Sequence, residues 1–263
     1  MSTVPRFGVL NAPKDWRTVD FISDLHLMPE EPATHAAWQR YMASTPADAV
    51  FILGDLFEAW IGDDAALPGS FEGDCAEVLR QAAARLPVYL MHGNRDFLVG
   101  EPFLAAHGVQ FLADPTVLAW AGARYLLTHG DLLCTQDVAY QRSRQQVRSP
   151  DWQRAVLARP LAERQVMAQQ MRAQSVAAQA GGVVYADIDA PLAREWLMAA
   201  RAHTLIHGHI HRPGDHALGH DDAGLPLQQV VLSDWHIADQ DHRAQVLRLS
   251  SDHQLERINL GPM

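Results

Sequence analysis

Five times along this chain a short apolar run ends in a cluster of small and polar residues, and few folds accommodate that repetition. Val19-Asp20-Phe21-Ile22 leads to Asp24 and His26, and Val50-Phe51-Ile52-Leu53 leads to Gly54-Asp55. Val88-Tyr89-Leu90-Met91 precedes Gly93-Asn94-Arg95-Asp96, Tyr125-Leu126-Leu127 precedes His129-Gly130-Asp131, and Thr204-Leu205-Ile206 precedes His207 and His209 in His207-Gly208-His209-Ile210-His211. Short apolar runs bounded by turn residues are the pattern of buried strands. Each polar cluster therefore belongs at a strand end, and the fold must gather those ends.

The stretches His35 to Ser44 and Glu72 to Arg85 have helical character and separate the first three runs, so the first half winds as strand, helix, strand, helix, strand with right-handed crossovers. Val109 to Leu112, Thr116 to Trp120 and Arg124 to Thr128 are closely spaced and predict antiparallel pairing. Residues 137–180 read as helical, with Ser149-Pro150 as a start and Gly181-Gly182 as a stop, and Asp189 with Pro191 opens a further helix. Gln228 to Leu232, Gln245 to Leu249 and Leu255 to Ile258 are expected as terminal strands in a second sheet packed on the first. A length of 263 residues with 48% apolar content suits one large α/β domain, although length alone also allows two small ones.

No basic segment followed by a long apolar core opens the chain, and no run of about eighteen uncharged apolar residues occurs, so a soluble, unexported protein is expected. Cys75 and Cys134 are too isolated for a disulfide framework or a paired-cysteine zinc site, which suits a reducing cytoplasm. A formal charge of −10 argues against general nucleic-acid affinity. The charge is uneven. Arg142, Arg144, Arg148, Arg154, Arg159, Arg164 and Arg172 face only Asp151 and Glu163 between Tyr140 and Ser175, interleaved with Trp152, Val156, Leu157, Leu161, Val166, Met167 and Met171 at helical spacing. Two readings fit: a helical pair packed by its stripe with a solvated basic face, or a cap over an anionic, partly apolar ligand.

On an extended segment Asp24 and His26 point the same way across Leu25, as do His207 and His209 across Gly208. One such pair is weak evidence, since the chain has 14 histidines and most histidines in proteins only make hydrogen bonds. Five clusters in order point to a centre for two divalent ions, and carboxylate, amide and imidazole without thiolate suit Mn²⁺, Fe²⁺ or Zn²⁺ better than a calcium cage. Two ions about 3.5 to 4 Å apart acidify a bound water and clamp an in-line displacement, so hydrolysis of a phosphoester or pyrophosphate is the expected chemistry. Arg95, next to Asn94, offers a planar fork for phosphate oxygens, with a salt bridge to Asp96 as its plainer role. His211, His236 and Asp131 are expected as orienting partners of ligating imidazoles.

Asp24-Leu25-His26, Gly54-Asp55, Gly93-Asn94-Arg95-Asp96, His129-Gly130-Asp131 and Gly208-His209 resemble the calcineurin-like metallophosphoesterase superfamily. Gly54 to Asp64, Gly93 to Phe97, His207 to Pro213, Ser233-Asp234-Trp235 and the long helical insertion are similar, more narrowly, to the UDP-2,3-diacylglucosamine hydrolases of lipid A biosynthesis. The resemblance implies an α/β fold, a four-layer αββα sandwich in a single domain, with a helical cap inserted at about 137–182. It implies Mn²⁺-dependent cleavage of the substrate's pyrophosphate to UMP and 2,3-diacylglucosamine 1-phosphate, at the cytoplasmic face of an inner membrane, with an amphiphilic sugar-nucleotide lipid as ligand and no obligate protein partner. Carried over by position, Asp24, His26, Asp55 and His209 hold one ion, and Asp55, Asn94, His129 and His207 the other. Asn94, Arg95 and His129 are the implied catalytic groups, and Asn94, Arg95, Asp137, Ser175, Gln179 and His207 the implied substrate contacts. The chain departs from the family at Gln179 and Gly182, where the family often has asparagine and lysine. Another nucleotide or phosphodiester is the alternative substrate, and a noncatalytic scaffold the alternative class.

Overall fold

The computed structural model describes residues 4–180, 187–238 and 241–261, with the side chains of 174–180 excepted. After β1 (Gly8–Asn11), the chain winds through β2 (Thr18–Ile22), α1 (Pro32–Ser44), β3 (Ala49–Ile52), α2 (Phe71–Ala83), β4 (Val88–Met91), α3 (Glu101–Ala106) and β5 (Gln110–Leu112). β2, β3, β4 and β5 are parallel neighbours in that order, as helical crossovers require. α1 begins three residues before the expected start because Pro32 fits the first turn, where its missing N–H costs nothing. α2 is capped by Ser70, whose Oγ accepts from Gly73 N at 3.0 Å, and carries Glu72 and Asp74 in its first turn and Arg80 in its last, which suits the helix dipole.

β6 (Thr116–Trp120) and β7 (Ala123–Thr128) form the expected antiparallel hairpin. Ala121 and Gly122 at its tip both have positive φ, 51° and 83°, as a two-residue hairpin turn needs. Three helices follow where a pair was expected: α4 (Val138–Val147), α5 (Pro150–Leu157) and α6 (Leu161–Ala180). α7 (Ala190–Ala200) is capped by Asp189, whose Oδ1 accepts from Leu192 N at 3.1 Å. The chain closes with β8 (Thr204–His207), β9 (Gly214–His220), β10 (Pro226–Val231), β11 (His236–Ala238), β12 (Asp241–Arg243), β13 (Gln245–Ser250) and β14 (Leu255–Asn259).

Two mixed six-stranded sheets result, ordered β14-β13-β2-β3-β4-β5 and β1-β6-β7-β8-β10-β9, with β11 and β12 as a separate ribbon. Two expectations are corrected here. β5 does not pair with β6; it continues the first sheet beside β4, and the chain changes sheets over residues 113–115. β13 and β14 also join the first sheet rather than the second, since β13 runs antiparallel to β2 with Arg248 opposite Asp20. That pairing is fixed by charge as well as by hydrogen bonds. Fully buried Asp20 accepts two Arg248 N–H groups at 2.7 and 2.9 Å, the Tyr41 hydroxyl at 2.9 Å and the Thr45 hydroxyl at 2.7 Å, so neither oxygen is left without donors.

The alternation of β3 shows the layering. Ala49 and Phe51 point into the apolar seam between the sheets, with Phe21, Tyr89, Leu118, Tyr125, Leu127 and Ile206. Val50 and Ile52 point the other way, against Trp38 and Met42 of α1 and Leu79 of α2. On the far side, Trp196 and Leu197 of α7 cover Val117, Leu126 and Leu205 of the second sheet. Helices, sheet, sheet and helices make the αββα sandwich. Phe51 lies at its middle, stacked on Tyr89 with centroids 4.7 Å apart and on Phe21 at 5.2 Å. Phe51→Ala should cost about 3–5 kcal/mol of unfolding free energy in urea denaturation, since both sheets are too constrained to collapse into the space. A loss below about 1 kcal/mol would mean the seam is not a packed core.

Candidate metal centre and adjoining cavity

The strand ends are stitched to one another by backbone. Asp24 N donates to Gly54 O at 3.1 Å, Gly208 N to His129 O at 3.0 Å, and Trp235 N to Asp24 O at 3.0 Å. β2, β3, β4, β7 and β8 therefore deliver their C-terminal ends to one place, the edge where open α/β sheets bind ligands. Two glycines make room. A Cβ on Gly93 would lie 2.1 Å from Asp55 Oδ1 and 2.3 Å from Asp55 N, and one on Gly208 would lie 2.1 Å from Asp24 Oδ2. Of the eight non-glycine residues described with positive φ, five are here: Asp24, His26, Asp55, His209 and His211, at 49° to 68°. Left-handed backbone at a non-glycine residue is uncommon and costly, and it persists where the surroundings over-determine it.

The donor atoms of Asp24, Asp55 and His129 lie within 4.8 Å of one another, and so do those of Asp24, His26 and His211. His129 Nε2 is 3.8 Å from Asp55 Oδ2, and His26 Nε2 is 4.0 Å from the same oxygen. Asn94 Oδ1 sits between His129 Nε2 at 3.0 Å and His209 Nδ1 at 2.8 Å. Asp24 Oδ2 accepts from Ser23 Oγ at 2.5 Å and His209 N at 2.9 Å, whereas its Oδ1 is buried without a hydrogen-bond partner, 3.3 Å from His211 Nε2. Burial works against a charge on His129, but Asp55, Asp24, Asp131 and Asp114 outweigh it and raise the imidazole to about 9. Burial likewise opposes ionisation of Asp24, yet His211 alongside it and the imidazoles of His129 and His26 hold its carboxyl far below the usual range. Sealed carboxylates with an unpartnered oxygen beside imidazole and amide donors fit divalent cations, which such a site binds with release of imidazole protons.

His207 stands apart from this set. It is fully buried, its Nδ1 is 2.8 Å from Gly208 O, and its Nε2 is 3.0 Å from Gln229 Nε2. Both ring nitrogens are thus engaged within the second sheet, and burial pushes the imidazole down to about 4. His211, expected as an orienting partner, lies instead within the group formed with Asp24 and His26. The reason is local: β8 runs through His207 and pairs it with Val231, and the chain leaves the sheet only afterwards, through left-handed His209 and His211.

The remaining residues separate clearly. Arg95 does not bridge Asp96; its guanidinium is 3.9 Å from Glu58, and its backbone N donates to Asp55 Oδ1 at 2.8 Å. Asp96 instead accepts from Gly93 N and Leu56 N, both at 2.8 Å, tying the second polar loop to the third, and burial with the nearby Asp55 pushes it up to about 6. Asp131 accepts the Tyr140 hydroxyl at 2.7 Å and Arg144 Nε at 2.6 Å, so it holds α4 rather than an imidazole. His236 is 3.2 Å from Glu31. Asp137 caps α4 through Tyr140 N at 2.9 Å and borders the cavity described next. The side chains of Ser175 and Gln179, and Gly182, lie outside the described residues.

A cavity of 520 Å³ opens from Asn94 and Arg95 and runs under α4, α5 and α6. Trp60, Phe97, Trp152, Met167 and Met171 give it an apolar wall, and Arg148, Arg164 and Arg172 a cationic one. Arg148 donates to Gly93 O at 2.7 Å and lies 5.2 Å over the Phe97 ring. Arg164 binds both oxygens of Asp64. The arginine excess in the sequence signalled this wall, and Glu58, Asp64 and Asp131 lay within the motifs that carry the resemblance, but nothing in the sequence paired them with those arginines.

The chain belongs to the calcineurin-like phosphoesterase family, whose pattern it matches over residues 17–213. Within that family it is 45% identical over 227 residues to the UDP-2,3-diacylglucosamine hydrolase of Chromobacterium violaceum, covering 83% of this chain and 90% of that protein. The proteins of that name from Marinobacter nauticus (42% over 222 residues, 83% and 89% covered) and Xanthomonas axonopodis pv. citri (42% over 261 residues, 92% and 100% covered) are similarly related. Among solved structures, an archaeal phosphodiesterase aligns with a TM-score of 0.44 at 12% identity, over 92% of this chain and 99% of that one.

Gly93→Ala tests the geometry, because its Cβ meets backbone and carboxylate of Asp55 and neither can withdraw. Calorimetric titration with Mn²⁺ should show affinity at least roughly tenfold weaker than wild type, as displaced metal surroundings typically give. Unchanged affinity would take Asp55 out of the centre.

Proposed function

We propose that this chain hydrolyses the pyrophosphate bond of UDP-2,3-diacylglucosamine to UMP and 2,3-diacylglucosamine 1-phosphate, a step of lipid A biosynthesis. The observation that carries the reading is the continuity of a phosphoesterase-type ligand set with a cavity that is both apolar and cationic. The substrate needs both properties, a place for acyl chains and a place for phosphates. The relatives named above support the choice of substrate.

In this reading Asp24, His26, His211 and Asp55 hold one divalent ion and Asp55, Asn94, His129 and His209 the other, with Mn²⁺ as the resident metal. Bound there, the ions supply an acidified water and a clamp for the attacking and leaving oxygens. The chain's own groups do the rest. Asn94 and Arg95 orient the phosphate at the mouth of the cavity, and Arg148 and Arg172 add cationic donors along its wall. The α4 to α6 segment acts as a cap, with Trp152, Met167 and Met171 toward the acyl chains and Asp137 toward the sugar. No described helix is long and apolar enough to cross a membrane. Exposed Val138, Leu157, Val166 and Met171 on α4, α5 and α6, beside exposed Arg154 and Arg159, support peripheral contact with the cytoplasmic face of the inner membrane.

Purified protein supplied with Mn²⁺ should release UMP from the acylated substrate, and Asp55→Ala should abolish that release; a fully active variant would end the metal assignment. Turnover of the deacylated sugar nucleotide should be much slower, and equal rates would remove the acyl-chain role of the cavity. Met167→Asp and Met171→Asp should each slow the acylated substrate more than a small phosphodiester, measured as the ratio of the two kcat/KM values.

A further inference from the structure

Glu58 follows the second polar loop and faces two ways. Its Oε2 is 3.1 Å from His26 Nδ1, off the axis of an ideal hydrogen bond, while His26 Nε2 lies on the Asp55 and His211 side. Its Oε1 is 3.3 Å from Arg172 Nε and 3.9 Å from Arg95 Nη1. One carboxylate thus touches a metal-centre imidazole with one oxygen and two guanidiniums of the cavity with the other. Burial alone would raise its pKa, but His26, Arg95 and Arg172 hold it below the ordinary glutamate value.

Arg172 is also set apart from the other arginine that α6 sends to this loop. Arg164, eight residues earlier, is 3% exposed, binds both Asp64 oxygens and also donates to Ile61 O and Arg159 O. Arg172 is 44% exposed and, among the described residues, pairs with Glu58 alone. One ion pair fastens the helix; the other can exchange its carboxylate for a phosphate at little cost, since guanidinium binds both forks alike.

We infer that Glu58 is a positioning residue that couples the metal centre to the anion-binding wall, with Oε2 fixing the tautomer and orientation of His26 and Oε1 holding Arg95 and Arg172 toward the incoming pyrophosphate. A carboxylate behind a ligating imidazole raises its basicity and fixes which nitrogen faces the ion, and its loss typically weakens metal binding by roughly 10- to 100-fold. Arg95 and Arg172, kept in place by that same group, need no search through rotamers when the anion arrives. The pyrophosphate arm of this inference rests on the proposed function; the metal arm does not.

The test separates the two oxygens. Glu58→Gln and Arg172→Met are titrated with Mn²⁺ by calorimetry, and KM and kcat are measured for UDP-2,3-diacylglucosamine and for bis(p-nitrophenyl) phosphate. Glu58→Gln should weaken Mn²⁺ binding by roughly tenfold or more and raise KM. Arg172→Met should raise KM while its Mn²⁺ affinity stays within about twofold of wild type, the coupling to that site running through Glu58 alone. The double variant should raise KM no further than Glu58→Gln does. If Glu58→Gln lacks a cooperative thermal transition, Glu58→Asp, which keeps the charge but lacks the reach to serve both neighbours, takes its place with the same expected split. Wild-type Mn²⁺ affinity in the Glu58 variant, equal metal loss in both single variants, or additive KM effects would each overturn the inference. A wild-type protein that cleaves only the small diester sinks the substrate assignment and leaves the Glu58 split to be read on that diester.

Discussion

The rest of the molecule is arranged around two aspartates that it removes from water. Asp24 and Asp55 are 0% and 2% exposed and face each other across the meeting of two parallel strands, so the surroundings must return what solvation would have supplied. Backbone N–H groups of His209 and Arg95, the Ser23 hydroxyl and the imidazoles of His26, His129 and His211 perform that task. Each demands a particular backbone path. The cluster of left-handed residues and the bare glycines at 93 and 208 follow from the need to bring several strand ends within a few ångströms of the same oxygens.

Further carboxylates outside this centre link it to the helices above. Asp131 fastens α4 through Tyr140 and Arg144, Asp64 fastens α6 through Arg164, and Glu58 reaches Arg172. The order of charge from the inside outward is therefore negative at the centre, then mixed, then positive on the cavity wall. An enzyme that binds cations in order to bind an anion needs such a gradient, and neither half works if the two signs neutralise each other directly.

Much of this was legible in the sequence because apolar periodicity and turn chemistry agree at β2, β3, β4, β7 and β8, the strands that carry the centre. What was illegible has physical causes. β1 alternates between partly buried and exposed at a sheet edge, and β9 is largely polar and histidine-bearing, so neither forms an apolar run. The pairing of β5 follows from the helical crossover of α3 rather than from nearness to β6, and nearness was the only cue available. The choice among His207, His209 and His211 turned on the same limitation. Alternation places all three on one face of an extended chain, and only the left-handed turns at 209 and 211, with Gln229 holding 207, break that equivalence.

The same electrostatics also imposes an order of events. Around Asp24 and Asp55 the positive charge of the protein alone comes from imidazoles, and burial pushes His207 and His209 down to about 4, leaving them neutral. The buried carboxylates lift His129 to about 9 and raise His211 as well, so these imidazoles offset the negative charge, and a divalent ion held there would take the place of their protons. Without that ion, an anion at the mouth of the cavity would face the carboxylates of Asp24, Asp55 and Glu58, while Arg95 and Arg172 are already paired with Glu58. Divalent charge held by these residues would favour an anion at the centre, and Arg95 and Arg172 stand beside Glu58 where they could turn toward it. On the proposed function, cation before anion would follow from where the carboxylates are buried.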